Sequence, residues 1–169
     1  MIKQLIECVP NFSEGRDLTI IKQITNEIEA VDGVKLLDVD PGAATNRTVV
    51  TFVGEPAAVI EAAYRAIVKA GELIDMSKQT GEHARMGATD VCPLVPVANI
   101  SMEETAEWSI KLAKRVGETT DIPIYLYGAA QPDTNRKVLS IIRGGEYEGF
   151  FEKIKKPEWK PDFGPAVYN

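Results

Sequence analysis

Cysteine is scarce in this chain, long apolar runs are missing, and each absence excludes a class of protein. The two cysteines, Cys8 and Cys92, lie far apart and form neither a CxxC motif nor a disulfide framework. No apolar run approaches the roughly 20 residues of a membrane span, and the N-terminus lacks the long apolar stretch of a signal peptide. The sequence therefore predicts a cytoplasmic protein with two buried free thiols and no membrane contact.

Basic residues are outnumbered by acidic residues. Nineteen Lys and Arg face 25 Asp and Glu, for a net charge of -6. This balance argues against nucleic-acid binding, and with an aromatic fraction of 7% and no RNP pattern it disfavours an RNA-binding sheet. Binding of a small anion in a local basic pocket remains compatible with this net charge.

Common catalytic and cofactor signatures are absent too. There is no G-x-G-x-x-G, no Walker A sequence and no G-x-S-x-G elbow. A single histidine and two remote cysteines make a poor metal-ligand set, so no metal is expected. The same scarcity argues against a Cys-His nucleophile pair.

What is present is the pattern of one globular α/β (α+β) domain, with 44% hydrophobic and 26% charged residues. Apolar periodicity predicts helices beginning near Asp17, at Pro56 and at the Ser101 to Glu104 capping box. Further helices are expected from Asp133 or Thr134 to Gly144 and over 146–154. Strands are predicted at 4–9, 34–40, 47–53, 91–97 and 122–127.

The first six elements read β-α-β-β-α-β, the ferredoxin-like order, followed by a C-terminal α-β-α extension. The sheet is expected to be covered by helices, and the weak alternation of 34–40 predicts a strand buried on both faces. We place the domain at 1–154. Residues 155–169 hold three of the ten prolines together with Trp159, Phe163 and Tyr168, which favours an extended strap that packs on a surface.

The densest polar cluster is 81–90, which contains the only histidine, His83, between Gly81 and Gly87. Histidine titrates near neutral pH and suits proton transfer. The alternative, a surface or helix-capping histidine, is the more frequent case for a lone histidine, and the nearby Glu82, Arg85 and Asp90 bring the two interpretations to equal weight.

Two other loops are candidates. In 38–48, Asp40 follows a strand and Arg47 suits a carboxylate ligand; the alternative is a turn with a surface ion pair. The segment 9–16 also follows a strand, and its alternative is an ordinary βα loop that caps a helix.

These same segments resemble the glutamate formiminotransferase family, the front part of formiminotransferase-cyclodeaminase. The matching motifs run in order along essentially the whole chain. They are ECVPNFSEG (7–15), LDVD (37–40), TNRT (45–48), GEHARMGA (81–88), DVCP (90–93), PIYLYG (123–128), GEYE (145–148) and PDFGP (161–165).

The resemblance implies transfer of the formimino group from N-formimino-L-glutamate to tetrahydrofolate, the co-substrate, in histidine degradation. The products are 5-formiminotetrahydrofolate and glutamate. The family's catalytic histidine and aspartate fall on His83, as general acid/base, and on Asp40. Arg47 or Arg85 is expected to hold a substrate carboxylate. The implied folate-contact stretch begins at Gly164 and includes Pro165, Ala166, Val167, Tyr168 and Asn169.

The family's transferase has two α/β subdomains with folate between them, and this chain resembles only the first. The resemblance therefore implies a partner, either a C-terminal subdomain or a separate chain, and is compatible with a homo-oligomer. The alternative function is a folate- or partner-binding subdomain without turnover of its own.

Overall fold

The computed structural model of the chain describes residues 2–81 and 85–166, and within them it shows an α+β fold. The strands are β1 (Leu5–Cys8), β2 (Asn11–Phe12), β3 (Val34–Gly42), β4 (Arg47–Gly54), β5 (Thr89–Val91) and β6 (Leu94–Ala98). The helices are α1 (Leu18–Glu29), α2 (Pro56–Leu73), α3 (Met102–Thr119), α4 (Leu139–Arg143) and α5 (Glu146–Lys153).

All six strands form one antiparallel sheet. Strands β1 and β2 are two parts of one strand path, interrupted at 9–10, and β5 and β6 are interrupted in the same way at 92–93. Strand β1 pairs with β4 and β6, β2 pairs with β4 and β5, and β3 pairs with β4. With each interrupted pair counted once, the spatial order is β5/β6, β1/β2, β4, β3. This order confirms the predicted ferredoxin-like core.

The three long helices begin where local signals placed them. The Asp17 carboxylate caps α1 by accepting hydrogen bonds from two backbone N–H groups of the first turn. Proline occupies the first turn of α2, where its missing N–H costs nothing. Ser101 and Glu104 form the reciprocal capping box of α3.

The helices cover one face of the sheet. Along β4, side chains alternate between buried and half-buried, and Val50 and Phe52 are fully buried on the helix side with Ile28 of α1 and Val59 of α2. On the opposite face, called the open face here, the described side chains of β1, β3, β4 and β6 are half-buried or exposed, whereas Asn11 of β2 and Val91 of β5, which pair beside Val49, are buried. The half-buried or exposed members of the open face are Glu7, Lys35, Asp38, Asp40, Arg47, Val49, Thr51, Val53, Val95 and Val97.

Two expectations are corrected. The strand at 34–40 is not buried on both faces: β3 is an edge strand with β4 as its only neighbour in the described residues, and most of its side chains are exposed or half-buried. The strand expected at 122–127 is reduced to one bridge between Ile124 and Phe163. Its partner is the short tail, and Pro123 has no N–H to donate to a ladder.

Of the two C-terminal helices, the first is shorter than predicted. The Asp133 side chain caps a 3₁₀ turn, Thr134–Arg136, and the α-helix begins only at Leu139. The last helix, α5, matches its prediction closely. The tail then turns at Pro157–Trp159 and returns across Ile124, which accepts a backbone hydrogen bond from Asp162 at 2.8 Å.

Removing the cap of α3 tests this assignment. We expect Ser101→Ala to lower the free energy of unfolding by about 1 kcal/mol, because the N–H of Glu104 loses its acceptor. Urea unfolding measures the change. Ser140→Ala, at an exposed position of α4, is the matched control, and equal stability of the two variants would contradict the capping assignment.

Candidate active site

The three candidate loops of the sequence meet at one end of the sheet. Ser13 donates its backbone N–H to the Ala88 carbonyl at 2.9 Å and its hydroxyl to the Gly87 carbonyl at 2.7 Å. Gly81 packs on the tip of the β3–β4 hairpin, where an added Cβ would lie 2.2 Å from the Thr45 oxygen. The segments 9–16 and 42–48 and the described parts of the third loop, 79–81 and 85–88, therefore form one cluster, called the three-loop cluster here.

Asn46 occupies the centre of this cluster. It is 3% exposed and adopts φ of 51°, a left-handed conformation that asparagine tolerates better than most residues. Its Oδ1 accepts a hydrogen bond from the Gly15 N–H at 2.9 Å, and its Nδ2 donates to Oε1 of Gln79. One buried amide thus connects the hairpin to both other loops.

A buried carboxylate completes the connection. Glu14 accepts hydrogen bonds from the N–H groups of Arg16 at 3.0 Å and Asp17 at 3.1 Å, immediately before α1. It also accepts from Nε2 of Gln79 at 3.4 Å. These donors replace the water that the carboxylate loses on burial, so Glu14 is a structural group of the cluster.

Arg85 anchors the far side of the 81–88 loop. Its Nε donates to the Gln79 carbonyl at 2.9 Å, and its guanidinium is paired with Glu148 and lies 3.7 Å from Glu146. Its backbone N–H donates to Glu146 at 3.1 Å, and its carbonyl accepts from Tyr147 at 3.0 Å. The two residues that flank 82–84 are therefore held firmly, Gly81 by the hairpin and Arg85 by α5. His83, the predicted acid–base residue, lies outside the described residues.

An ion pair between Asp90 and Arg143 connects the end of the 81–90 segment to α4. The Asp90 side chain is 2% exposed and is paired with Arg143 of α4. Its other oxygen accepts a hydrogen bond from the Met86 N–H at 2.6 Å. This pair makes the course of residues 86–90 depend on α4, a connection that the spacing in the sequence does not reveal.

Asp40 and Arg47 share the open face. Asp40 pairs with Val49 and Gly42 pairs with Arg47, so the two charged residues are diagonal neighbours on adjacent strands. Both lie beside the hairpin tip that contacts Gly81. The structure therefore brings two of the predicted site residues onto one surface, next to the loop that contains the third.

The described part of the predicted folate stretch lies elsewhere. Gly164 has φ of +84°, and an added Cβ would lie 2.4 Å from the Ile122 oxygen. The tail at 163–164 also packs against Gly117 of α3, on the helix side of the sheet. The structure does not bring this part of the tail to Asp40, and Val167, Tyr168 and Asn169 lie outside the described residues.

Sequence reasoning missed the residues that hold the cluster together. Asn46 and Glu14 lay inside candidate segments but were treated as turn and capping residues, and Gln79 was not considered. Asparagine in the TNRT turn was the one usable signal, because asparagine is enriched at positive φ. No local pattern pointed to Gln79 or Arg143, whose partners are 33 and 53 residues away.

Comparison with known proteins supports the resemblance. The model of the formiminotransferase domain, N-terminal subdomain, matches residues 5–169. The chain is 54% identical over 167 residues to a formimidoyltransferase-cyclodeaminase of Dictyostelium discoideum, covering 99% of this chain and 31% of that protein. It is 47% identical over 165 residues to a glutamate formimidoyltransferase of Thermoplasma acidophilum, covering 96% of this chain and 54% of that protein. The corresponding Streptococcus pyogenes protein is 42% identical over 161 residues.

The chain thus spans about a third to a half of the length of these relatives. The described residues contain no group of three or more His, Cys, Asp or Glu side chains placed to hold a metal ion. None of their helices is long and apolar enough to cross a membrane.

Substituting Gly81 tests the contact between the loop and the hairpin. We expect Gly81→Ala to lower the free energy of unfolding by about 1–3 kcal/mol, because its Cβ must displace the Thr45 backbone. Amide hydrogen exchange at 45–47 should accelerate in the same variant. Gly87→Ala is the matched control, since the nearest atom to its Cβ is 3.7 Å away. Equal stability and exchange rates in both variants would show that the contact between Gly81 and Thr45 does not stabilise the protein.

Proposed function

The chain belongs to the formiminotransferase N-terminal-subdomain family, and from this premise we propose that it supplies the catalytic loop of a glutamate formiminotransferase. The reaction moves the formimino group from N-formimino-L-glutamate to tetrahydrofolate, giving 5-formiminotetrahydrofolate and glutamate, as a step of histidine degradation. The observation that carries the proposal is the meeting of the three motif-bearing loops in one cluster.

His83 is assigned the proton transfers. It accepts the proton that N5 of the pterin loses while forming a bond to the formimino carbon. It then returns this proton to the glutamate nitrogen as the old carbon–nitrogen bond breaks. One group serves both steps because N5 of the pterin loses a proton and the glutamate nitrogen gains one. The anchoring of Gly81 and Arg85 supports this role, since a general base must be held within hydrogen-bond reach of its proton.

Asp40 and Arg47 are assigned to the open face. The Asp40 carboxylate orients the imidazole or stabilises the cationic intermediate. Arg47 or Arg85 is assigned to a substrate carboxylate, and of the two Arg47 lies on the open face, diagonal to Asp40. The surface also fits a flat folate ring, since Val95 is 43% and Val97 is 52% exposed on it.

Turnover is proposed for the assembled protein. A cleft must exclude water and orient two substrates, and one sheet face does neither alone. We propose that a second subdomain, in the same chain or in a partner, packs on the open face and encloses folate there. The predicted folate contact is kept here for 167–169 only, because Gly164 packs against Ile122 and Gly117 on the helix side of the sheet.

The alternative function is a folate- or partner-binding subdomain without turnover, which the exposed side chains of the open face alone would support. A transfer assay separates the two functions. The purified chain is mixed with tetrahydrofolate and formiminoglutamate, acidified and read by methenyl absorbance, with and without a second subdomain in trans. Folate binding without transfer under both conditions would favour the alternative.

Replacing the histidine tests the acid–base assignment. We expect His83→Ala to lower the transfer rate on the order of 10²- to 10⁴-fold, because no other group carries the proton. Gln23→Ala, at an exposed position of α1, is the control for expression, purification and folding. Transfer retained in the histidine variant would refute the assignment.

Replacing Asp40 tests the role of the open face. We expect Asp40→Asn to lower kcat by about tenfold or more with a smaller effect on KM, because the charge acts on the cationic transition state. Asp38→Asn is the matched control, since Asp38 lies on the same face of the same strand and pairs with Thr51. Equal kinetics of the two variants would remove Asp40 from the mechanism.

A further inference from the structure

The two cysteines, 84 residues apart in the sequence, are neighbours in the fold. Their Sγ atoms are 3.6 Å apart. Cys8 is the last residue of β1 and Cys92 lies at the bend between β5 and β6. The backbone around them is held by a hydrogen bond from the Val9 N–H to the Pro93 carbonyl at 3.2 Å, and by the pairing of Cys8 with Leu94.

The two sulfurs have unequal surroundings. Cys8 is fully buried in the core, whereas Cys92 is half-buried. Cys92 also lines a cavity of about 580 Å³ between α2, α3 and the segment 122–150. Cys8 is not among the residues that line this cavity, so a small solute in it reaches Cys92 before Cys8.

We propose that Cys8 and Cys92 are an oxidative modification site that a hydroperoxide converts to a disulfide. The Cys92 thiolate attacks a peroxide oxygen, forms a sulfenic acid and releases hydroxide, which leaves as water after protonation. The Cys8 sulfur then attacks the Cys92 sulfur, and the Cys8 proton leaves with the sulfenic hydroxyl as a second water. With hydrogen peroxide, two thiols become one disulfide and the peroxide is reduced to two waters.

The geometry permits the second step. A disulfide needs its sulfurs at about 2.0 Å. The 3.6 Å separation closes by side-chain rotation, since the two residues already lie on hydrogen-bonded neighbouring segments. No third cysteine exists in the chain to compete for the sulfenic acid.

The pKa of Cys8 supports the proposed order, in which Cys92 reacts with the peroxide before Cys8. Burial raises the pKa of the Cys8 thiol well above its ordinary value, and the hydrogen bond to Cys92 raises it further. Cys8 therefore stays protonated near neutral pH and reacts slowly with peroxide by itself. Burial also raises the pKa of Tyr127, with smaller contributions from the charges of Cys92 and Cys8. Its phenol remains neutral beside the pair.

The disulfide would join β1 to the bend that follows Asp90. Because Asp90 holds the Met86 N–H and Arg143, oxidation would restrain the segment 86–92 at the end of the three-loop cluster. This inference does not depend on the proposed transfer activity, since it concerns only the two thiols of this chain.

Peroxide treatment of the native, purified chain tests the proposal. We expect the intact mass to fall by about 2 units and both thiols to disappear from a denaturing thiol titration. Dithiothreitol should restore both. A linked peptide containing Cys8 and Cys92 should appear in a non-reducing digest.

Single variants test the order of reaction. We expect Cys8→Ala to gain about 16 mass units and to trap dimedone at Cys92, because the sulfenic acid has no resolving thiol. In Cys92→Ala, oxidation of Cys8 should be slowed at least about tenfold. Alanine is used because a serine hydroxyl would be buried at position 8.

Three results would overturn the proposal: two titratable thiols after peroxide treatment of the wild type, a disulfide found only between two chains, or equal oxidation rates for Cys92→Ala and the wild type. If either variant loses its native circular dichroism spectrum, the mass and peptide map of the wild type still decide whether the disulfide forms.

Discussion

One buried side-chain amide holds the candidate site together. Asn46 bonds to the Gly15 backbone on one side and to Gln79 on the other, and its left-handed backbone allows the β3–β4 hairpin to turn at that point. A buried amide that lost these partners would cost free energy of desolvation. The hairpin, the loop before α1 and the loop after α2 therefore keep a common arrangement.

The rest of the fold determines where this cluster lies. Packing of α1 and α2 on one sheet face buries Phe52 and Val50 and leaves the other face open beside the hairpin tip. Asp40 and Arg47 lie on this open face, and Gly81 packs on the hairpin tip beside them. The site proposed above rests on this arrangement, because a transferase needs its acid–base group next to the surface that binds its substrates.

The buried charges of the site are satisfied in pairs, and each pair fixes a different part of the loop. Arg85 is neutralised by glutamates of α5, and Asp90 by Arg143 of α4. Removing Arg143 would leave the Asp90 carboxylate buried without its partner, which is strongly destabilising, whereas the glutamates that pair with Arg85 are largely exposed. The short C-terminal helices thereby contribute to the site without supplying any of its proposed catalytic groups. Cys8 and Cys92, the proposed oxidation site, lie at the end of the same loop.

Local signals in the sequence were enough to predict the helix starts at Asp17, Pro56 and Ser101, the βαββαβ order and the candidate segments 9–16, 38–48 and 81–90, because caps, turns and periodicity act over a few residues. Long-range contacts make β3 an edge strand, reduce 122–127 to a single bridge and bring Cys8 next to Cys92. Tertiary structure also decided the partners of Asn46, Arg85 and Asp90. Each of these depends on contacts between segments distant in the chain, which no local pattern encodes.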